Sequence, residues 1–463
     1  MEINKRIDEM RDELIASTQE VVKIKSVEEE KKEGMPFGEG PAKALECALK
    51  ISEKLGFKTA NIDNYAGYAE YGEGDDYVAV LGHLDVVPEG DGWKHPAYGA
   101  EIHDGKMYAR GTLDDKGPIM AALYGLKAIK DAGLKLNKRV RVIFGTNEET
   151  GSKEIEYYLE KEKAPVLGFT PDAEYPIING EKGITIFNIV KDLNAKSNGN
   201  IIINTIKGGN AANMVPDKCH AELTAKNPQE IVKAAEEFVK KTGYDIKVEV
   251  EGNKVNVKSV GMSAHGSLPH LGKNAIMQLF AFLLELNLGK CDVADFIRFM
   301  NENVGMETHG ESFGVCLEDE ASGKLSFNIG VVDINEEKAL MTLNLRYPVT
   351  KKLDDMMNPF NAKIDGTGIR VENFVHQEPL YFEPEHPLIK SLQKVYKEQT
   401  GEEAKLLSIG GGTYAKEMPN IVAFGPIFPG KPDLDHQPNE YIEIEDLILN
   451  AKIYGHAIYE LAK

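Results

Sequence analysis

The chain has 463 residues and carries 54 lysines and arginines against 74 aspartates and glutamates, a net charge of −20. Such an acidic surface repels phosphate, so no nucleic acid partner is expected. No apolar stretch approaches the roughly 20 residues of a membrane-spanning helix, and the charged N-terminus lacks the apolar core of a signal peptide. The four cysteines are widely spaced, which argues against a disulfide framework or a thiolate zinc site. We therefore expect a cytoplasmic protein without membrane contact.

Helices and strands are predicted to alternate through residues 1–182. This is the pattern of an α/β domain with a mainly parallel central sheet and helices on both faces. One apolar stripe at helical spacing opens the chain, and the near-continuous apolar run at 77–83 predicts a strand covered on both faces. The other predicted elements are helices at about 41–55, 117–132 and 152–161, and strands at 140–144 and 166–169.

Between residues 183 and 378 the pattern changes to strands around one long helical stretch at 274–288. This predicts an inserted α+β domain, for which an internal duplication stays open. A loop-rich interval follows the helix, and residues 349–366 are polar and weakly patterned. The α/β pattern resumes over 379–463, so we predict that this segment completes the domain begun by 1–182. Its predicted elements are helix 387–400, a Gly-rich loop, strand 421–425 and helix 444–461.

Histidines and carboxylates follow several of these elements, in five clusters. The clusters contain His83 and Asp85, Asp114 and Asp115, Glu148 and Glu149, Asp172, and His436. Ligands of α/β proteins collect outside the carboxyl ends of the strands, where most of these clusters lie. Nitrogen and carboxylate donors suit zinc, manganese or cobalt, and a set of five such ligands suits two ions that share a carboxylate. Together the clusters predict a two-metal centre.

Two of the clusters also fit purely structural roles. Alternate residues of an extended segment share a face, so the Asp85 carboxylate could simply hold one ring nitrogen of His83. A pair of aspartates before Pro118 is typical of a helix N-terminus, where carboxylates complement the helix dipole. From the residues alone, the choice between Asp114 and Asp115 as a ligand stays open.

The motifs GHLDVVP, RGTLDDKGP, GTNEETGS, PDAEYP and DLDHQPNEY resemble, in order and spacing, those of the M20 metallopeptidase family. The similarity covers essentially the full chain and is strongest to the PepV-type bacterial dipeptidases, which are related to carnosinase-like enzymes. It implies that residues 1–182 and 379–463 form a catalytic domain that binds two divalent ions, zinc or alternatively manganese or cobalt. The ligands it implies are His83 and Asp172 for one ion, Glu149 and His436 for the other, and Asp114 as the bridge.

The resemblance also assigns roles to residues that do not bind metal. Glu148 matches the family's general base, and Asp85 matches the aspartate that supports the ligand histidine. The insert resembles an enlarged lid domain, in which His265 matches the histidine that polarises the scissile carbonyl. Because this lid resembles two shorter, dimerising lids fused in one chain, it implies a monomer.

The substrate-binding residues implied by the resemblance are Asn213, Arg346, Gly411, Gly412 and Thr413. In the loop that contains the last three, backbone N–H groups could bind a peptide carboxylate. Without the resemblance, Arg346 would be interpreted as a surface ion-pair residue and the glycine run as an ordinary turn. A lone histidine such as His265 would likewise be interpreted as a packed or exposed side chain.

The activity implied by the resemblance is hydrolysis of Xaa-Yaa dipeptides that have a free C-terminal carboxylate. Water activated by two metals would attack the peptide bond, with Glu148 as general base. An alternative in the same family is a deacylase of N-acyl amino acids, of the acylornithine or succinyl-diaminopimelate type. A non-catalytic metal-dependent binding protein would be expected to lack a ligand or the base, and the sequence retains all of them.

Three residues beyond the first motif are given no metal-binding role. Trp93, His95 and His103 lie in a segment that is predicted to be a loop. The segment GDGWKHP resembles the family, but nothing in the sequence requires that it contact a metal.

Overall fold

The computed structural model describes residues 2–197 and 199–463. Its internal contacts divide the chain into two compact units. Unit 1 comprises Met1–Asn179, Phe382–Leu407 and Gly412–Lys463. Unit 2 comprises Gly180–Tyr381 and Ser408–Gly411. Unit 1 is thus built from segments on either side of unit 2 in the sequence.

The helices and strands before residue 182 follow one another closely. The helices are α1 (Glu2–Glu9), α2 (Arg11–Val22), α3 (Glu39–Lys54), α4 (Lys116–Asp131) and α5 (Lys153–Lys161), with a 3-10 turn at Glu148–Thr150. The strands are β1 (Lys58–Ile62), β2 (Ala66–Tyr71), β3 (Tyr77–His83), β4 (Glu101–His103), β5 (Lys106–Tyr108), β6 (Arg139–Gly145), β7 (Leu167–Thr170), β8 (Ala173–Glu174) and β9 (Ile177–Glu181).

The remaining elements belong to the insert and to the C-terminal segment. The insert contains strands β10 (Gly183–Asp192), β11 (Ile201–Gly208), β12 (Lys218–Ala225), β13 (Asp245–Glu251), β14 (Lys254–Val260), β15 (Glu318–Asp319), β16 (Gly323–Lys324), β17 (Ser326–Ile334), β18 (Lys338–Tyr347), β19 (Arg370–Gln377) and β20 (Leu380–Tyr381). Its helices are α6 (Pro228–Thr242), α7 (Ala275–Leu283), α8 (Asp292–Asn303) and α9 (Leu353–Ile364), with a 3-10 turn at Pro269–Leu271. The C-terminal segment contains α10 (Pro387–Thr400), β21 (Leu406–Ile409), a 3-10 turn at Tyr414–Lys416, β22 (Ile421–Ala423), β23 (Pro426–Ile427), β24 (Tyr441–Glu443) and α11 (Ile444–Ala462).

The central sheet of unit 1 contains, in order, β1, β2, β6, β3, β7, β22 and β9. The four middle strands β6, β3, β7 and β22 are parallel, whereas the β1–β2, β2–β6 and β22–β9 pairs are antiparallel. All seven residues of β3 are buried, as expected for a strand with both faces covered. The predicted α/β class with an inserted α+β domain is confirmed, and the parallel pairing lies in the middle of a mixed sheet.

Helices α4 and α11 pack closely against each other in unit 1. A Cβ atom at Gly125 of α4 would lie 2.7 Å from the backbone nitrogen of Gly455 in α11. Real Cβ atoms do not approach backbone this closely, so the two helices meet where neither has a side chain. Both helices also contact β3, whose last residue is His83.

Replacing Gly125 with alanine should destabilise unit 1 although alanine is the better helix former. Helix propensity favours alanine by about 1 kcal/mol, but overpacking against the α11 backbone costs about 1–3 kcal/mol. We expect a lower thermal unfolding temperature for Gly125→Ala, measured by circular dichroism. Lys127→Ala, in the same helix but partly exposed, should change stability by less than about 0.5 kcal/mol. Equal unfolding temperatures for the two variants would contradict the close helix contact.

Unit 2 is built on an antiparallel sheet with the order β13, β14, β12, β11, β17, β18, β10 and β19. Residues along β12 alternate between exposed and buried positions, which is the pattern of a sheet covered on one face. Residues of α6, α7, α8 and α9 share one hydrophobic core with the sheet. No helix among the described residues is both long and apolar enough to cross a bilayer.

The prediction was wrong about several helices of the insert. The weakly patterned stretch 349–366 contains α9, and the interval predicted to be rich in loops contains α8. The helix predicted at 274–288 ends at Leu283, and the leucines that follow pack against the same core without helical backbone. At its start, the Asn274 side chain accepts hydrogen bonds from the backbone N–H groups of Ile276 and Met277.

Candidate metal centre

His83 is the last residue of β3, and its imidazole is fully buried. Its Nε2 atom lies 2.8 Å from Asp114 Oδ1 and 3.8 Å from Asp172 Oδ2. Its Nδ1 atom lies 3.0 Å from the backbone oxygen of Asp85. If Nδ1–H donates to this carbonyl, the Nε2 lone pair is directed at the two aspartates. This tautomer is the one in which histidine binds a metal through Nε2.

His436 forms a second group with two carboxylates. Its Nε2 atom lies 3.0 Å from Glu149 Oε2 and 3.2 Å from Asp114 Oδ2. The backbone of His436 has a φ of 62°, in the left-handed region that residues other than glycine rarely adopt. The turn around it is closed by a hydrogen bond from Gln437 N to Leu434 O. Strain of this kind is typical of functional sites, where the structure holds a side chain in one direction.

The two groups share Asp114, whose two oxygens face different histidines. Within each group the donor atoms lie within 4.8 Å of one another. The groups are His83, Asp114 and Asp172, and Asp114, Glu149 and His436. Asp115 instead accepts a hydrogen bond from the backbone N–H of His83 at 3.2 Å. The structure thus places Asp114, rather than Asp115, between the two groups.

Several acidic groups are crowded here in surroundings with little water. Burial, with Asp114 nearby, raises the pKa of both Glu149 and Asp172 above the usual range despite their contacts with histidines. Hydrogen bonds to Asp114 and Glu149 raise the pKa of His436 to about 11. Divalent cations would neutralise the repulsion among the carboxylates, and imidazole and carboxylate donors suit zinc, cobalt and manganese. These residues therefore fit a pair of divalent ions.

The carboxylate of Asp85 lies beside the ring of His83 and also contacts the Glu148–Glu149 turn. Its nearer oxygen is 3.5 Å from His83 Nδ1, farther than the backbone carbonyl of the same residue. The carboxylate oxygens accept hydrogen bonds from the backbone N–H groups of Glu148 and Glu149, at 3.2 and 3.1 Å. Asp85 therefore supports His83 through its backbone and fixes the Glu148–Glu149 turn through its side chain.

Glu148 lies beside the two groups and belongs to neither of them among the described residues. It begins the 3-10 turn that follows β6, with its backbone held by Asp85. Burial raises the pKa of Glu148 well above its usual range, and the negative charge of Asp172 adds to the rise. A carboxylate in these surroundings binds a proton more strongly than one in water.

Glu440 and Arg110 form a buried ion pair that the sequence reasoning missed. Glu440 Oε1 accepts hydrogen bonds from the backbone N–H groups of Leu113 and Asp114, at 2.8 and 3.3 Å. Its Oε2 accepts from Arg110 Nη1 at 2.7 Å and from Gly111 N at 3.1 Å. Glu440 therefore fixes the backbone of the residue that both groups share. Arg110 lies in the motif RGTLDDKGP and Glu440 in the motif DLDHQPNEY. Their place in these motifs was the only sign in the sequence of a role near the site.

The Gly-rich loop is divided between the units, with Gly411 in unit 2 and Gly412 and Thr413 in unit 1. The loop is followed only by the 3-10 turn Tyr414–Lys416 and not by an α-helix. Thr413 Oγ1 accepts a hydrogen bond from Ala415 N at 3.1 Å at the start of this turn. One turn provides little helix dipole, so any anion binding would depend on individual N–H groups of the loop.

His265 and Asn213 lie on neighbouring segments of unit 2. His265 forms an isolated antiparallel bridge with Met214, and Gly266 N donates to Asn213 O at 2.6 Å. The Nδ1 atom of His265 lies 2.7 Å from Ser267 Oγ. The structure therefore brings these two predicted substrate-binding residues together within one unit.

Arg346 lies at the end of β18 and is only 5% exposed, so it is not the surface ion-pair residue considered from the sequence. Its Nη1 donates to Gly410 O at 2.6 Å, and its Nε donates to Asn344 Oδ1 at 3.0 Å. Burial lowers the pKa of Arg346 to about 10. Burial and the charge of Arg346 both lower the pKa of His265, as expected for two groups in the same part of unit 2.

The fold is also found in solved structures of peptidases. The structure resembles the aminoacylhistidine dipeptidase from Vibrio alginolyticus with a TM-score of 0.59 and 13% identity, covering 97% of this chain and 96% of that one. It resembles an M20 family metallo-carboxypeptidase from Sulfolobus solfataricus with a TM-score of 0.56 and 18% identity, covering 97% of this chain and 100% of that one. The fold is therefore that of the M20 peptidases, an α/β unit with an inserted domain.

Sequence comparison gives the family. The model of "Peptidase family M20/M25/M40" matches residues 79–460. A curated relative, "Putative dipeptidase YtjP" from Bacillus subtilis (strain 168), is 40% identical over 457 residues, which cover 98% of each chain. The chain belongs to peptidase family M20/M25/M40, and the resemblance seen in the motifs is confirmed. Membership of this family makes the protein a peptide hydrolase.

Proposed function

We propose that this protein is a metal-dependent dipeptidase that hydrolyses Xaa-Yaa dipeptides with a free C-terminal carboxylate. The observation that carries the proposal is the pair of histidine–carboxylate groups that share Asp114, with Glu148 beside them and outside both. The name of the Bacillus subtilis relative, which matches the chain along its full length, supports a dipeptide as the substrate.

The residues that would hold the metals are those of the two groups. His83 and Asp172 would bind one ion, Glu149 and His436 the other, and Asp114 both. Zinc suits this set best, with manganese and cobalt as alternatives, since imidazole and carboxylate ligands accept all three. Two bound divalent ions would supply a water of lowered pKa and polarise the peptide carbonyl.

Glu148 is the proposed general base. Its carboxylate would take a proton from the attacking water and later give that proton to the nitrogen of the leaving amine. One C–N bond breaks, one C–O bond forms, and the products are two amino acids. The buried surroundings that raise the pKa of Glu148 strengthen it as a base for this transfer.

The resemblance supports a substrate-binding role for the residues of unit 2. His265 would donate a hydrogen bond to the oxyanion that develops on the carbonyl oxygen. Arg346, with the N–H groups of the Gly411–Thr413 loop, would bind the C-terminal carboxylate, and Asn213 would contact the peptide. A bound carboxylate would limit the substrate to two residues, since a longer peptide has no terminal carboxylate at that position.

Removal of metal should abolish the activity reversibly. Purified protein treated with EDTA and dialysed should hydrolyse dipeptides no faster than a blank, because Glu148 alone cannot activate water sufficiently. Zinc, manganese or cobalt should restore turnover, measured by release of free amino acids. Magnesium and calcium, which prefer all-oxygen ligands, should restore much less. Full activity in protein shown to be metal-free would contradict the metal-dependent mechanism.

A substrate panel separates the dipeptidase from the deacylase alternative. It contains Xaa-Yaa dipeptides, β-alanyl dipeptides, a tripeptide and N-acyl amino acids, each assayed with the reconstituted enzyme. We expect the highest kcat/KM with dipeptides, and a preference for N-acyl amino acids would instead assign the protein as a deacylase.

We also propose that the protein is a monomer, because the insert resembles the enlarged lid type. Light scattering of the purified protein tests this proposal.

A further inference from the structure

A second cluster of metal-binding side chains lies outside the residues proposed to bind the catalytic ions. Glu101 Oε2 lies 2.8 Å from His103 Nε2 and 3.4 Å from His95 Nδ1, so two ring nitrogens converge on one carboxylate oxygen. The two imidazole rings are stacked, with centroids 4.2 Å apart and an angle of 20° between their planes. The donor atoms of all three residues lie within 4.8 Å of one another.

The local fold holds these side chains together. His103 lies in β4 and not in the loop that the sequence predicted. Alternate residues of a strand point to the same face, so Glu101 and His103 share one face of the small sheet β4-β5-β24. Tyr108 pairs with Glu101 in this sheet, and its ring packs against that of His95 with centroids 4.6 Å apart.

The lysine that pairs with His103 in the small sheet contacts a tyrosine ring. Lys106 pairs with His103 across the β4–β5 hairpin. Its Nζ atom lies 4.1 Å from the centroid of the Tyr441 ring, in a cation–π contact. The carboxylate of Glu101 therefore faces two imidazoles rather than an ammonium group. The side chains of His95, Glu101 and His103 are 28%, 44% and 46% exposed, so ions from solvent can reach them.

We propose that His95, Glu101 and His103 form a separate binding site for one transition-metal ion of the Zn²⁺, Ni²⁺ or Cu²⁺ type. Two imidazoles and one carboxylate are ligands that these ions prefer over Mg²⁺ and Ca²⁺. Three protein ligands leave the other coordination positions to water, as expected for an exposed site. The net charge of −20 raises the concentration of cations near the surface.

An ion at this site would join a loop to a sheet. His95 lies at the end of a loop segment that is attached to the loop after His436, because Lys94 N donates to Asn439 Oδ1 at 2.6 Å. Asn439 Nδ2 in return donates to Gly92 O at 3.2 Å. Binding to His95 and to β4 together would fix this loop segment and stabilise unit 1 against unfolding, as any ligand specific for the folded state does.

The test compares zinc binding by the zinc-loaded enzyme and its variants in equilibrium dialysis. Wild type should bind one more zinc ion per chain than His103→Ala, Glu101→Gln or the double variant His95→Ala/His103→Ala. The matched control is His220→Ala, which removes an exposed histidine of β12 and should bind as much zinc as wild type. All variants should hydrolyse dipeptides at the wild-type rate, because none of these residues belongs to the catalytic machinery.

The single tryptophan provides a second readout. Trp93 is the only tryptophan of the chain and lies two residues before His95, so Cu²⁺ bound at the cluster should quench its fluorescence. The quenching midpoint should move to at least about tenfold higher Cu²⁺ in His103→Ala, since loss of a ligand costs at least as much affinity as loss of its supporting partner. Excess zinc should raise the unfolding temperature of wild type more than that of His103→Ala.

Identical results for His103→Ala, Glu101→Gln and His220→Ala would overturn the proposal. If all three bind the same number of zinc ions as wild type and share its quenching midpoint, the cluster is only a hydrogen-bonded group. Because Glu101→Gln keeps both histidines and the strand pairing of β4, it tests the site even if the alanine variants fold poorly. Circular dichroism of each variant establishes that the fold is intact.

Discussion

Glu148→Gln should bind metal like the wild type and lose dipeptide turnover by about 10²–10⁴-fold, the range of general acid–base catalysis. Glutamine keeps the size of the side chain and cannot accept a proton from water. The ligand groups should stay intact because they do not include Glu148, whose backbone is held independently by Asp85. The measurements are kcat and KM with a dipeptide, together with metal content by elemental analysis.

The matched control is Glu156→Gln, which removes the charge of an exposed glutamate in the following helix α5. It should keep wild-type kcat and metal content. Wild-type turnover in Glu148→Gln would remove this residue as the general base. Loss of metal in that variant would mean instead that Glu148 is a ligand.

Glu440→Gln should weaken zinc binding by about 10–100-fold, the usual effect of losing a residue that orients a metal ligand. The backbone N–H of Asp114 would lose part of its support, and the buried guanidinium of Arg110 would lose its counter-ion. Removing one partner of a buried pair costs about 3–5 kcal/mol, so the unfolding temperature should fall as well. Turnover lost at low zinc should return at high zinc, because all the ligands are still present.

Zinc affinity measured on the folded protein distinguishes positioning from simple loss of stability, since high zinc would also stabilise a variant that is only less stable. A variant that is only less stable would bind zinc with wild-type affinity whenever it is folded, as checked below its unfolding temperature. Glu443→Gln is the control, since Glu443 is in the same segment and forms a partly exposed ion pair with Lys431. Loss of this ion pair should change the free energy of unfolding by no more than about 1 kcal/mol and leave zinc affinity unchanged.

The elements best predicted from the sequence are those whose local signals agree. The near-continuous apolar run predicted the bounds of β3, Tyr77–His83, correctly. A strand that is covered on both faces needs apolar residues on both faces, so the run stands out in the sequence. For α10, Pro387 at the first turn and Gly401 after the last turn marked both ends. The signals conflict in α9, which contains Pro359 although Met356, Phe360 and Ile364 of the same helix are buried.

The candidate site was predictable as a set of residue types and much less as a set of contacts. The motifs contain every residue of the two histidine–carboxylate groups. They could not show that the Asp85 side chain also accepts hydrogen bonds from N–H groups of the Glu148 turn, since that turn is distant in the sequence. The role of Glu440 was equally hidden, because it depends on the approach of two loops more than 300 residues apart.

The position of β22 between β7 and β9 bears on how the protein is made on the ribosome. The neighbours β7 and β9 are synthesised early, while β22 comes from the C-terminal segment. A nascent chain therefore exposes an unpaired edge of β7 until β22 in the C-terminal segment has been translated, and such an edge is prone to incorrect strand pairing and to chaperone binding. His436 is also translated late, so a truncated product would lack one complete histidine–carboxylate group and should be inactive as a hydrolase.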